Sequence, residues 1–313
     1  MADVSHKKCD GETRAGSSPA AGTIKRSRLT PSDPDAIRRL SYSNEVFLMS
    51  PIQSSSDIPD YAETMSFTIR ATETDPDGHL APAVLFSMAQ EASSYSAAAL
   101  GLNSEELHAR GLVWMLSRIS VNMVHWPSWR ETIKIATWPR QIKRLFYLRD
   151  YVIMAEDGSI LGTATSDWFL VNTITRRPQR PDVIEEFNRH FENEVTRATT
   201  TDALRIRESI PVSHAQSHSY RTRWSDMDRN GHVNNTHYVT WSYNVLREHK
   251  EVETAPTAIH VNFLQELMDQ APVDILYTPY VEDQANTTSE QKSYLIEGHI
   301  SGSPSFRCVM TFE

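Results

Sequence analysis

One order of chemical landmarks occurs twice along this 313-residue chain. A repeat constrains folding more than any local pattern, because each copy must bury the same faces in the same way. "TDPDGHL" sets Asp75, Asp77 and His79 at two-residue steps, and "SDMDRNGHV" sets Asp228, Asn230 and His232 at the same steps, with glycine directly before each histidine. A helical stretch follows each, over residues 83–100 and roughly 235–246. A strand containing Val-Asn comes next, "SVNMVHW" from Ser120 and "HVNFLQE" from His260, then a second strand, then a hairpin turning at Gly158 or Gly302. The three landmarks are displaced by 153, 140 and 144 residues, so the copies differ mainly in the loop between helix and strand.

Within the first copy, Val84, Met88, Ala92, Tyr95 and Ala99 recur at helical spacing, with Pro82 near the start and Gly101 as a stop. Phe67 and Ile69, and Ile133-Lys134-Ile135, alternate as half-buried strands do. "LFYLRDYVIMA" and "ILGTATSDWFLV" flank "EDGS" as a long hairpin. One long helix followed by consecutive strands is buried best when the antiparallel sheet curls around it. The expected fold is therefore α+β, two tandem hotdog units, each an antiparallel sheet wrapped around a long helix. The expected layout is a disordered extension over 1–60, an N-terminal unit over 61–180, a linker over 181–217 and a C-terminal unit over 218–313. In the linker, Pro181-Asp182 opens a short amphipathic helix marked by Val183, Phe187 and Phe191.

A net charge of −9 argues against a phosphate-tracking nucleic-acid binder, and no apolar run approaches the length of a membrane span. Two cysteines, Cys9 and Cys308, cannot make a disulfide framework. A reducing, cytoplasmic setting is expected, or a plastid if the Ser- and Arg-containing leader is a transit peptide. No glycine-rich phosphate loop and no Gly-x-Ser-x-Gly elbow is present, so no cofactor is expected. His214 and His218 are four apart but lack a zincin-type Glu, so no metal is expected either.

Asp228, Asn230 and His232, read as extended chain, project to one side just before a helix. Asp supplies a base or nucleophile, His a proton carrier near neutral pH, and Asn a neutral donor and acceptor. The unpaired N–H groups of the helix start, near Asn234 and Asn235, suit an oxyanion. These parts fit acyl transfer to water, although Asp/Asn loops of this kind also form plain turns; an EF-hand is disfavoured because Val239 stands where its twelfth-position Glu belongs. Sliding the copies by 140 residues places Glu266 opposite Trp126. One chemical site, in the second copy, is the expectation, with the first copy holding substrate.

The stretches "DMDRNGHVNNTHY", "WMLSRISVNMVHWPSWRETIKIATWP", "LRDYVIMAEDGSILGTATSDWFLVNTITRRP" and "VNFLQE" resemble the acyl-acyl-carrier-protein thioesterases of plants and bacteria over most of residues 61–313. The resemblance implies a tandem-hotdog hydrolase acting on fatty acyl chains carried by acyl-carrier protein. It implies Asp228, Asn230, His232 and Glu266 as the catalytic set. Some members carry Cys after that Glu; here Leu267 takes the place, which excludes a thiol mechanism. The acyl tail is expected against the first helix, including Val84, Met88 and Ala92. "RQIKR" (Arg140 to Arg144, with Lys143) together with Arg176, Arg177 and Arg180 forms a basic patch suited either to solvent or to an acidic carrier protein. An acyl-CoA thioesterase and a non-catalytic acyl-binding protein are the rival readings, and homodimerisation stays open.

Overall fold

The computed structural model describes residues 52–188, 196–211, 216–280 and 291–313. Among the described residues, ten strands form one continuous antiparallel sheet. The first unit contributes β1 (Glu63–Thr68), β2 (Leu112–Met123), β3 (Thr132–Lys143), β4 (Phe146–Ala155) and β5 (Ile160–Asn172). The second contributes β6 (Gln216–Arg221), β7 (Ala258–Phe263), β8 (Pro272–Tyr280), β9 (Lys292–Ile300) and β10 (Ser303–Phe312). The strand order is β1-β3-β4-β5-β2-β7-β10-β9-β8-β6, so the two five-stranded halves have the same topology and meet edge to edge at β2 and β7. The units are tandem hotdogs as expected, fused through a shared sheet.

The seam fixes the repeat to the residue. Ser120 pairs with His260, Ile119 with Val261 and Val121 with Ile259. Antiparallel partners that are also equivalents at a 140-residue offset occur only on a pseudo-twofold axis. That axis passes through Ser120 and His260, whose Oγ and Nδ1 lie 2.8 Å apart.

On the concave side, α1 (Pro82–Ala99) and α4 (Asn235–Glu248) pack against each other and the sheet, in one core that runs from Ile133, Ile135 and Ile153 to Val261, Ile296 and Cys308. The buried stripe of α1 differs from the apolar one in the sequence. Leu85, Met88, Ala89, Ala92, Ser93 and Ser96 are buried, whereas Val84 is half-buried and Tyr95 and Ala99 are exposed. Serines can occupy the stripe because their hydroxyls are satisfied: Ser93 Oγ donates to Ala89 O and meets Tyr151 Oη at 2.8 Å, and Ser96 Oγ accepts from Arg149 at 2.9 Å. After α1 a short helix, α2 (Ser104–Ala109), closes the end of the unit.

The linker has more structure than a polar connection suggests. A 3₁₀ turn, Pro181–Ile184, runs into α3 (Glu185–Asn188), and Ile184 rather than Val183 is buried. Phe191 lies outside the described residues. Residues 196–211 then cross the convex face of the sheet. Ala198 packs on Trp138 and Val152, and Ile206 and Ile210 pack on Leu276, Leu295 and Val309. Asn262 ties this strap down, accepting from Ile206 N–H at 2.9 Å and donating to Leu204 O at 2.7 Å. Arg140, expected on the surface, is buried beneath it between Asp150 (3.1 Å) and Asp202 (2.7 Å). A buried guanidinium needs such carboxylates to offset its lost hydration.

Burial pushes the His260 imidazole down to about 4. Between that value and the ordinary 6.5, the unfolded chain takes up a proton that the folded one refuses. Stability is thus complete above about pH 6.5 and falls as the pH drops towards 4, by at most about 3 kcal/mol. A His260→Gln variant should show a flatter decline of its denaturation midpoint over that window. An unchanged slope would place the acid sensitivity at another group.

Candidate active site

The chain from Asp228 to His232 is a tight turn, not the extended segment its two-residue spacing suggests. Asp228 Oδ1 accepts from Asn230 N–H at 2.7 Å and His232 N–H at 3.4 Å, while Asp228 N–H donates to His232 O at 2.8 Å. Asn230 Nδ2 also donates to Asp228 Oδ2 at 3.3 Å. Short polar side chains capture nearby backbone N–H groups in this way, which is why Asp and Asn favour such turns. The first unit makes the same turn: Asp75 Oδ1 accepts from Asp77 N–H at 3.0 Å and His79 N–H at 3.1 Å.

The turn delivers His232 to Glu266, with Nε2 and Oε2 3.2 Å apart. Glu266 stands in the loop beyond β7, not on the strand. Both side chains are about a quarter exposed, so water reaches the pair. Arg176 donates to the same Oε2, reaching across from the loop that follows β5 in the first unit. That loop is braced by Asn172 Oδ1, which accepts from Ile174 and Thr175 N–H, and it holds Arg176 at φ +56°, a left-handed conformation uncommon for residues other than Gly, Asn and Asp. Arg176, expected in the basic patch, is thus ion-paired with Glu266. Tyr238 was not visible as a site residue. It is buried, its hydroxyl meets the Leu267 backbone, and burial reinforced by the Glu266 and Asp228 carboxylates raises its pKa. Its equivalent at the 153-residue offset is Leu85, and that difference is the signal that marks it.

At the head of α4, Asn234 N–H goes to Asp226 O, Thr236 N–H to Asn234 Oδ1 and His237 N–H to Asn234 O. Asn235 N–H, at the first helical position, has no partner within the helix. Of the expected oxyanion pair, Asn234 serves as N-cap with its own N–H taken by Asp226 O, whereas Asn235 N–H has no intrahelical partner. The equivalent of Asn235 in the first unit is Pro82, which has no N–H, and the equivalent of Asn234 is Ala81, which has no capping oxygen. Together with Trp126, buried and donating to Pro256 O at 2.8 Å, these differences leave the first unit with the turn but without acid or donor.

Beside the complete turn lies a cleft of about 1060 Å³, lined by Asp228, Asn230 and Asn234, by Ser87, Gln90 and Ser94 of α1, and further in by Trp114, Arg149 and Trp168. Val84, Met88 and Ala92 do not line it. Met88 and Ala92 are buried in the core, because the serine-rich face of α1 is the one turned to the cleft. The pseudo-symmetric position holds a cavity of about 300 Å³. There Tyr243 and Arg247 replace Gln90 and Ser94 at the 153-residue offset, and Arg247 pairs with Asp77 at 2.8 Å. A bulky ring and an ion pair fill what is open on the other side. Asp75→Asn combined with His79→Ala should consequently leave any turnover within a few-fold of the parent; loss of activity in the folded double variant would show that the first turn takes part in the chemistry.

Of the remaining patch residues, Arg144 and Arg177 are exposed and Lys143 donates to Asp202 at 2.8 Å. His218 lies on β6 beside Glu248, not on a helix, and His214 lies outside the described residues. Among the described residues, no three His, Cys, Asp or Glu side chains converge as a metal site, and no helix is long and apolar enough to cross a membrane.

Two hotdog units fused through one sheet define a tandem-hotdog protein. The acyl-ACP thioesterase N-terminal domain matches residues 60–191 and the acyl-ACP thioesterase C-terminal domain matches residues 210–307; the chain belongs to this family. A chloroplastic acyl-[acyl-carrier-protein] hydrolase of Cuphea viscosissima is 30% identical over 187 residues, 56% of this chain and 45% of that one. The chain spans about half the length of the curated relatives it matches. In fold it is similar to a 12:0-ACP thioesterase from Umbellularia californica (TM-score 0.68, 24% identity, covering 81% of this chain and 97% of that one). An acyl-ACP thioesterase from Bacteroides thetaiotaomicron is similar at TM-score 0.65 and 20% identity, over 81% and 98% of the two chains.

Proposed function

We propose that this chain hydrolyses the thioester joining a fatty acyl group to acyl-carrier protein, releasing free fatty acid. The observation that carries the reading is the Glu266–His232 pair near the head of α4, beside a turn that opens on a cleft of about 1060 Å³ where the first unit's turn has only about 300 Å³. Water held by Glu266 and Asn230 attacks the carbonyl carbon as Glu266 takes its proton. Asn235 N–H, at the positive end of α4, stabilises the oxyanion. The intermediate collapses with cleavage of the C–S bond, and His232 passes a proton to the departing thiolate. Attack by Asp228 itself is disfavoured, since its Oδ1 holds the turn as Asp75 does where there is no acid. Arg176 keeps Glu266 in place between turnovers.

Arg144, Arg177 and Lys143 remain the candidate landing residues for an acidic carrier. The deciding experiment measures thiol release from carrier-protein and coenzyme A thioesters of several chain lengths. Carrier-protein substrates should show the higher kcat/KM. Preference for coenzyme A would move the chain to the acyl-CoA hydrolases, and binding without release would make it an acyl-binding protein.

A further inference from the structure

At the inner end of the cleft, among apolar residues such as Leu102, Leu107, Leu112 and Leu148, stand polar groups that an alkyl tail does not match. Arg149 lines it from β4, is more than nine-tenths buried and has no carboxylate partner among the described residues. Its Nη1 donates only to neutral oxygens, Ser96 Oγ at 2.9 Å and Thr137 Oγ1 at 3.2 Å. Arg140, the other buried arginine among the described residues, has two acids, so the contrast lies within one molecule. Two further lining groups lack partners: Trp114 Nε1 and Gln90 Oε1 are both buried without a hydrogen bond. Burial lowers the pKa of the Arg149 guanidinium, the mark of a charge without an offsetting anion. Filling the space around it with methylenes would leave these groups desolvated and unpaired.

We propose that this inner end binds a carboxylate on the far end of the acyl chain, so that the favoured substrates are ω-carboxy acyl thioesters. The inference rests on the thioesterase reading above. A carboxylate accepts from the planar guanidinium and from the indole N–H, which are the donors present. Ser87, on the part of α1 that lines the cleft with the turn, and Ser96, which contacts Arg149, are nine residues apart. Nine residues of helix rise about 13 Å, which sets a medium chain length.

The test compares kcat/KM for carrier-protein thioesters of plain and ω-carboxy acyl chains of equal length. The parent should favour the ω-carboxy series about tenfold or more at its best length, and Arg149→Met should abolish the preference. Because Arg149→Met removes a buried group that also braces α1, Trp114→Phe serves as a second variant, in which the preference should shrink. An equal or better rate on plain chains, or a preference that survives in both folded variants, overturns the proposal. If neither series is hydrolysed, the thioesterase reading fails. Calorimetry with dodecanedioate and dodecanoate then decides the inner site alone: tighter binding of the dicarboxylate supports it, and equal or weaker binding overturns it.

Discussion

Glu266→Gln and His232→Ala should each lower turnover at least about 100-fold while the protein stays folded, the low end for loss of a general acid or base. Glutamine keeps the size of Glu266 and its acceptor oxygen for Arg176 and His232, but it cannot take the proton from water. The loss should therefore fall on kcat, with KM little changed. His232 lies on the rim of the turn, and its backbone N–H, not its ring, completes the hydrogen bond to Asp228. The alanine variant accordingly removes the imidazole and leaves the turn. Thermal denaturation followed beside steady-state kinetics separates chemistry from folding. Near-parental turnover in a folded Glu266→Gln protein would take the carboxylate out of the mechanism and leave the pair with a structural role.

The architecture was legible because a repeat leaves a numerical trace. The offset of 140 residues that aligns Val121-Asn122 with Val261-Asn262 is the same offset that makes Ser120 the partner of its own equivalent, His260, across the seam. The Trp126–Glu266 difference followed from that offset, and helix starts and hairpin glycines from the same order of landmarks at offsets of 153 and 144 residues. What escaped was of three physical kinds. Two-residue spacing is shared by strands and by turns closed on an Asp carboxylate, so the backbone of 228–232 could not be read from it. Buried polar groups hide an amphipathic stripe: Ser93 meets Tyr151 and Ser96 accepts from Arg149 in the interior, so the apolar residues of α1 alone do not mark the face turned to the cleft. Long-range pairing is invisible in a single chain. Arg176 reaches a carboxylate 90 residues away in the other unit, and Arg140 finds Asp202 beneath a strap that reads as a polar linker.

Asn235→Pro should cost turnover about 100- to 1000-fold and leave the fold in place, an unusual combination for a proline placed in a helix. The first unit supplies the reason for the second half of that expectation. Ala81 precedes Pro82 with φ −62° and ψ 134°, and Asn234 precedes Asn235 with φ −59° and ψ 134°. The backbone that accepts proline in one unit is thus already built in the other, and extended geometry is what a residue before proline prefers. Proline at the first helical position breaks no intrahelical bond, since that N–H has no partner within the helix. The change deletes one hydrogen, that of the Asn235 N–H proposed above to hold the oxyanion, and gives the second unit the proline that the first has at Pro82. Asn235→Ala removes the side chain but keeps the N–H, so the ratio of the two variants isolates the donor. A ratio near one, with both proteins folded, would mean that the helix start does not hold the oxyanion and that the contrast between Pro82 and Asn235 has no part in confining the chemistry to one unit.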